Sequence, residues 1–352
     1  MTWKNAGFSL LILAAGVATT FTSACSEGGG SATTGGTTGG STGSTSSGGT
    51  GVPEGCAETG ANVIAPTTEA ALKEGGAPDL SCYTTPASLG ASQNVTVTGC
   101  LDIFGVGSRA KAGLRLSVYG IDQNPGPNQD TPRYGDVAIE LVDASECEFE
   151  GKYTISNIPT NTPLIYKTYE QAAAGAQKQA VDTYHYNVVI RADRHDTDND
   201  GTYEYAANMI YASTYATIPP LAGRTVEGGN NLNDLKGRGV IAGEVRDCQG
   251  EGRSVMNATV GGSCIDTPTA KVVYFDGAED PKPAIQRTST NNDGLFAMLN
   301  VYAVTNETAG RKQELEGKVL AGGQVISAGK VSAYIYPDSV TIFSPQGLLP
   351  TQ

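Results

Sequence analysis

The segments GVIAGEVRDCQGEGRSVMNATV (residues 239–260) and TSTNNDGLFAMLNV (residues 288–301) carry the strongest structural signal in this chain of 352 residues. Their apolar residues come in short runs, and the runs are bounded by glycine, asparagine or aspartate. Such runs are typical of β-strands joined by tight turns, because successive side chains of a strand point to opposite faces and glycine and asparagine tolerate turn conformations. We therefore expect an all-β fold here.

An earlier part of the chain repeats this pattern. The run VTG that ends at Gly99 matches the run IAG that ends at Gly243, and EGKYTISNI around Gly151 matches DGLFAMLNV around Gly294. Gly151 follows Gly99 by 52 positions, and Gly294 follows Gly243 by 51 positions. An offset of ~144 residues therefore predicts two copies of one module, with chance similarity between strand-rich segments as the alternative.

The repeated pattern resembles the carboxypeptidase regulatory-like domain, a transthyretin-like (prealbumin-like) β-sandwich. That family's pattern opens with G-x-V-x-D-x-x-G and continues with T-x-x-x-G-x-[FY]. The matching residues are Gly243, Val245, Asp247, Gly250, Thr290, Gly294 and Phe296 in the second copy, and Gly151 and Tyr153 in the first. The resemblance implies two Greek-key β-sandwich domains, and we expect them to span residues 92–222 and 236–345.

The N-terminus has the features of an export signal. Residues 1–24 contain Lys4 and an apolar run that is too short to span a bilayer. The tetrapeptide TSAC that ends at Cys25 resembles the bacterial lipoprotein box, with Thr22 in the place of the usual leucine. We expect acyl chains on Cys25, which would anchor the protein. Cleavage of a plain secretory signal near Ala24 is the alternative.

Two further segments precede the strand-rich part. Residues 25–52 consist almost wholly of Gly, Ser and Thr after the cysteine, so they predict a disordered tether. Residues 53–91 form a preface, in which TTEAALKEGG (residues 67–76) predicts one short helix. We expect a disulfide to staple the preface.

The chain has seven cysteines, an odd number. Lipidation of Cys25 would leave six, which suits three disulfides in an oxidising compartment. Their positions suggest local pairs, although six cysteines allow 15 pairings. The suggested pairs are Cys56–Cys82, Cys100–Cys147 and Cys248–Cys264.

The charge balance limits the partners. The chain has 36 acidic and 23 basic residues and a net charge of −13. This argues against nucleic acid, whose phosphates require a basic surface, and against adsorption to anionic lipid. We therefore expect contact with the membrane only through the lipid anchor. The expected location is the bacterial cell envelope, and the outer membrane in particular, because Ser26 stands where many inner-membrane lipoproteins have aspartate.

The segment HDTDNDGTYEYAA (residues 195–207) matches the first half of the D-x-D-x-D-G calcium loop. The expected Ca²⁺ ligands are Asp196, Asp198, Asp200, the carbonyl of Thr202 and Glu204. The loop has Ala207 where an EF-hand has its last glutamate, so a remote acid would complete the site. A solvated hairpin turn without an ion is the alternative.

The tyrosine-rich segment 184–215 and the two histidines allow other interpretations. Tyrosines on an exposed sheet face bind carbohydrate or protein, whereas alternating tyrosines are also ordinary strand residues. Prealbumin-like folds include dioxygenases whose iron is held by two tyrosines and two histidines. The residues of those types here are Tyr184, Tyr186, His185 and His195.

No sequence motif for nucleophilic or metallopeptidase catalysis occurs. We therefore expect a non-enzymatic binding, adhesion or structural module whose partner is an envelope protein or a polysaccharide. An accessory or regulatory subunit of an envelope enzyme is one alternative. A metal-dependent dioxygenase is another.

Overall fold

A computed structural model describes residues 61–85, 88–105, 108–173, 176–221, 238–249, 252–263, 271–277, 282–302 and 310–346. The predictions for Cys25, Cys56, Cys264 and the tether lie outside these residues. β-strands dominate the described residues, so the all-β prediction is confirmed.

The strands are β1 Ala71–Leu72, β2 Asn94–Phe104, β3 Leu114–Gly120, β4 Asp136–Ala138, β5 Glu140–Leu141, β6 Gly151–Pro159, β7 Pro163–Glu170, β8 Ala180–Val189, β9 Tyr203–Glu204, β10 Ala207–Tyr211, β11 Arg238–Glu244, β12 Val255–Met256, β13 Thr259–Gly262, β14 Lys271–Phe275, β15 Pro283–Ala284, β16 Leu295–Tyr302, β17 Arg311–Ala321, β18 Gln324–Ile335 and β19 Ser339–Ile342. The helices are α1 Ser81–Thr84, α2 Ala192–His195 and α3 Ala212–Leu221. None of the helices in the described residues has both the length and the apolar character needed to cross a membrane.

Several strand pairings among β2 to β10, which we call the first repeat, recur among β11 to β19, the second repeat. In the first repeat, β7 pairs with β3 and β8, β2 pairs with β6, and β9 and β10 lie parallel to β2. In the second, β17 pairs with β13 and β18, β11 pairs with β16, and β19 lies parallel to β11. The predicted repeat is therefore confirmed.

The repeats also agree in register. Gly99 lies opposite Tyr153, and Gly243 lies opposite Phe296. A register shift interrupts each ladder two to four residues before the glycine. Such a bulge bends a strand, so both repeats bend their sheet at the same point.

A third strand passes close to each of these glycines. The carbonyl of the residue before each glycine accepts a hydrogen bond from that strand, at 3.0 Å in the first repeat and 2.9 Å in the second. A Cβ atom at Gly99 would lie 1.8 Å from the carbonyl oxygen of Tyr205, and one at Gly243 would lie 1.9 Å from that of Phe343. This close approach requires glycine at both positions.

Strand pairing joins the repeats into one body. β19 lies parallel to β8, with Ser339 opposite Asp182 and Ile342 opposite His185. In the described residues, this seam makes one 14-stranded sheet that runs from the first repeat into the second. The domain bounds 92–222 and 236–345 stay a prediction, since the ladder crosses from one segment to the other.

Three hydrophobic clusters fill the body. One belongs to the first repeat and includes Leu116 and Tyr153. A second joins the interior of the second repeat to Tyr119 and Tyr184 of the first. A third lies where α3 packs against strands on both sides of the seam. The β3–β7–β8 sheet is therefore buried on both faces, which explains its nearly continuous burial in β3.

The preface differs from its prediction. Residues 67–76 do not form a helix, because Ala71–Leu72 instead pair with Val255–Met256. The carboxylate of Glu69 accepts hydrogen bonds from the N–H groups of Gly322 (3.0 Å) and Gly323 (2.9 Å) at the β17–β18 turn. These long-range bonds outweigh a weak local helix propensity.

One predicted disulfide is confirmed and two predicted pairs are wrong. Cys100 bonds Cys147 as predicted. Cys82 bonds Cys248, which is 166 residues away. The predicted pairs Cys56–Cys82 and Cys248–Cys264 are therefore wrong. The cause is the packing of α1 beside the second repeat, which brings the Cα atoms of Cys82 and Cys248 within 5.7 Å.

Asp247 also holds the preface against the second repeat. Its side chain is fully buried, and it accepts hydrogen bonds from the N–H of Asp79 (3.2 Å) and from the N–H of Arg253 (2.7 Å). The guanidinium of Arg253 adds two bonds to the same carboxylate, at 2.9 and 2.6 Å. The aspartate of the family-like motif thus stabilises the β11–β12 turn and holds the preface against it.

Candidate functional site

The predicted calcium loop leaves β8 through α2 and returns into β9. Carboxylate oxygens of Asp196, Asp198 and Asp200 lie within 4.8 Å of one another. Asn199 has φ +59° and Gly201 has φ +85°, so the backbone between these acids is sharply bent. The structure therefore brings together three of the predicted ligands.

Backbone donors already stabilise two of these carboxylates. The N–H of Thr202 donates to Asp200 at 2.6 Å, and the N–H of Gly201 donates to Asp196 at 3.3 Å. Glu204 pairs with Thr98 in the ladder of β2 and β9 and is not part of the carboxylate group. Oxygen ligands of this kind suit a hard cation such as Ca²⁺, whereas an acid-rich turn held by these bonds also stands without one.

The tyrosines of segment 184–215 are core residues. The side chains of Tyr184, Tyr186, Tyr203, Tyr211 and Tyr215 are all at most 8% exposed. The interpretation as an exposed contact face is therefore wrong for these five. The ordinary strand interpretation holds for the first four, whereas Tyr215 lies in the helix α3. Because these rings pack inside the protein, their apolar surface is not accessible to a ligand.

The set expected for iron does not converge. The ring of Tyr184 lies 4.7 Å from that of Tyr336, in the cluster shared by the repeats, and Tyr186 belongs to the same cluster. His185 points to the opposite face of β8. The rings of His185 and His195 lie 6.0 and 5.9 Å from the ring of Tyr205, a residue that the sequence did not single out for this role.

Tyr205 marks a polar recess between the repeats, which we call the junction recess. It consists of Asp102 on β2, His185 on β8, Tyr205, Asn208 on β10 and Arg246 after β11. The hydroxyl of Tyr205 lies 2.6 Å from Nδ1 of His185, and the amide of Asn208 donates to Asp102 at 3.1 Å. Four residues come from the first repeat and one from the second.

All five side chains are half-buried. Even so, the pKa of His185 is lowered to about 4, mainly by burial and to a smaller extent by the charge of Arg246. Burial and the charge of Glu148 raise the pKa of Asp102, against a smaller opposing effect of Arg246. These half-buried side chains therefore form a partly enclosed polar cluster.

The protonation states follow from these shifts. His185 is neutral at pH 7, and burial raises the pKa of Tyr205 far above its ordinary value. The Tyr205 hydroxyl therefore keeps its proton, and it shares a hydrogen bond with Nδ1 of the neutral His185. Arg246 is held by Glu244, with contacts of 2.7 and 3.0 Å to one carboxylate oxygen.

Hydrogen bonds also tie the start of the acidic loop to the chain beside the recess. Arg194 of α2 donates to the side chain of Gln346 at 2.9 Å, and Gln346 donates to the carbonyl of Asp247 at 3.1 Å. The segment that begins the loop is therefore anchored on the second repeat, next to Arg246. No family model matches the chain, and no curated protein matches it in sequence.

Proposed function

We propose that this protein is a lipoprotein of the bacterial cell envelope that acts as a non-enzymatic binding module. Acyl chains on Cys25 would hold it at the outer membrane, and the tether would separate the folded body from the lipid surface. The observation that carries the proposal is the junction recess, whose hydrogen-bonded polar groups come from the first repeat and lie within range of the charge of Arg246 in the second. Convergent, pre-positioned polar groups in a concavity are typical of binding sites.

The proposal includes a fold of two prealbumin-like Greek-key sandwiches. Its support is the equal strand arrangement of the repeats, each with a three-stranded ladder and a second ladder built on a glycine-bearing strand. A module of this kind would present a binding surface without catalysing a reaction. The expected partner is an envelope protein or a polysaccharide.

The proposal also includes stabilisation by Ca²⁺ at Asp196, Asp198 and Asp200. Its support is their mutual distance, because three carboxylates within 4.8 Å repel one another unless a cation neutralises them. Since α2 is bonded to Gln346 and its His195 lies against Tyr205, an ion here would stiffen a segment beside the junction recess.

Cell fractionation tests the anchoring. Cys25→Ser should move the protein from the membrane fraction to the soluble fraction, while Ser26→Ala, the control, should leave it in the membrane fraction. Continued membrane association of the Cys25→Ser protein would contradict lipidation. A pull-down from intact cells with the wild-type protein would identify the partner.

A further inference from the structure

The junction recess has hydrogen-bonding capacity that the protein itself does not use. One carboxylate oxygen of Asp102 accepts from Asn208, and among the described residues its other oxygen has no partner. The hydroxyl of Tyr166 is buried and also has no hydrogen-bond partner in the described part of the chain. The ring of Tyr166 packs edge-on against Tyr205, with 5.0 Å between the centroids. A buried hydroxyl such as that of Tyr166 normally has a partner, and the second oxygen of the half-buried Asp102 remains able to accept a hydrogen bond, so the recess has capacity for a ligand.

The charges of the recess select the class of ligand. Arg246 is paired with Glu244, His185 is neutral, and Asp102 repels anions. Phosphate or carboxylate ligands need an available cation, which these groups do not provide. The neighbouring surface is acidic as well, since Glu148 lies close enough to raise the pKa of Asp102.

What the recess offers is a set of planar groups with fixed directions. The carboxylate of Asp102 and the amide of Asn208 lie side by side on adjacent strands. The imidazole of His185 and the phenol of Tyr205 form the second hydrogen-bonded pair. Adjacent acceptor and donor groups match the vicinal hydroxyls of a sugar, each of which both donates and accepts. The rings of Tyr205 and His185 supply apolar surface for its C–H groups.

We propose that the junction recess binds a neutral saccharide, with Asp102 and Asn208 as the principal hydrogen-bonding pair. The inference rests on the proposed function as a binding module and names the ligand class of that site. Arg246 of the second repeat lies near enough for its charge to act on His185 and Asp102, so the recess draws on both repeats.

The test uses the full chain in detergent on an array of neutral and anionic oligosaccharides, followed by calorimetric titration of the best neutral one. Asp102→Asn keeps the side-chain volume, and Asn208→Leu removes the amide. Each should raise the Kd about tenfold or more, because each loses a hydrogen bond to a buried polar group. Asn94→Ala, an exposed amide earlier on β2, is the matched control and should leave the Kd within about twofold.

Three outcomes would overturn the inference: no neutral saccharide binds, only anionic ones bind, or Asp102→Asn and Asn208→Leu bind as the wild type does. Circular dichroism of each variant excludes misfolding as a cause. If a protein partner is captured whose binding these variants do not change, the saccharide inference fails and the binding module stands. If a saccharide is bound and cleaved, the non-enzymatic function fails and the site stands.

Discussion

The two repeats share a backbone and differ in what surrounds their key glycine. In the first repeat, Tyr153 donates its hydroxyl proton to the carbonyl of Tyr205 at 2.6 Å. In the second, Phe296 packs edge-on against Phe343, with 6.5 Å between ring centroids and no hydroxyl. Tyr205 is half-buried at the junction recess, whereas Phe343 is 2% exposed. One architecture thus supports a polar site in one copy and an apolar core in the other.

Removal of the disulfides should cause the largest losses of stability, and it tests how much each repeat contributes. Cys100–Cys147 closes 47 residues within the first repeat, and Cys82–Cys248 closes 166 residues between the preface and the second. The chain-entropy model predicts losses of about 4 and about 5 kcal/mol on removal of each bond. We expect the Cys82→Ser/Cys248→Ser protein to have the lower midpoint in urea. A lower midpoint for Cys100→Ser/Cys147→Ser would show that the first repeat carries most of the stability.

The glycines test whether the repeats obey the same constraint. Gly99→Ala and Gly243→Ala should each reduce the free energy of unfolding by about 3 kcal/mol, because the added Cβ would overlap a backbone carbonyl that cannot rotate away. Gly90→Ala is the control, since its Cβ would meet its nearest atom at 3.4 Å. Urea titration measures all three. Tolerance of alanine at either key glycine would break the equivalence.

The hydroxyl of Tyr153 tests the difference between the repeats. Tyr153→Phe makes the first repeat resemble the second and leaves the Tyr205 carbonyl without this donor, which should cost about 1–2 kcal/mol. Tyr203→Phe, whose hydroxyl accepts from the exposed side chain of Gln93 at 3.1 Å, should cost less than about 0.5 kcal/mol. Equal losses in thermal or urea unfolding would mean that the buried bond contributes nothing specific.

His185 should give the first repeat a pH dependence. Its folded-state pKa is about 4, below its ordinary value of 6.5. The unfolded chain therefore binds the proton first, and stability is lost as pH falls from 6.5 towards 4. The melting temperature of His185→Gln should fall less over this window than that of the wild type. Identical slopes, or an NMR titration of His185 near 6.5, would contradict the desolvated recess.

The smallest expected effect concerns the acidic loop. If a Ca²⁺ site contributes about 1 kcal/mol, the ion should raise the melting temperature by about 2–4 °C. Asp198→Ala combined with Asp200→Ala should abolish this shift, whereas Asp130→Ala combined with Asp143→Ala should retain it. A shift that survives in the first double variant means that the loop is only a turn.

Local pattern was enough to predict the strands and the repeat. Alternating apolar runs around Gly99 and Gly243 and their equal spacing depend on neighbours in the chain, which a sequence displays. The same holds for Asp196, Asp198 and Asp200, which lie in one bend.

Long-range packing explains the predictions that the structure contradicts. The bond between Cys82 and Cys248 and the pairing of β1 with β12 join segments more than 160 residues apart. The junction recess could not be predicted either, because Asp102, His185 and Arg246 are far apart in the sequence and come together only in the folded chain. The helix α3 could not be predicted because its sequence, ASTYATIPPL, has no amphipathic period. It also follows β10 directly, without a turn residue to mark its start.

Hydrogen exchange at the seam tests the central claim that the repeats form one body. Peptides covering β8 and β19 should exchange with the same free energy, that of global unfolding, because their amides are paired across the seam. Peptides from β19 that exchange much faster than those from β8, with the second repeat opening on its own, would contradict the account.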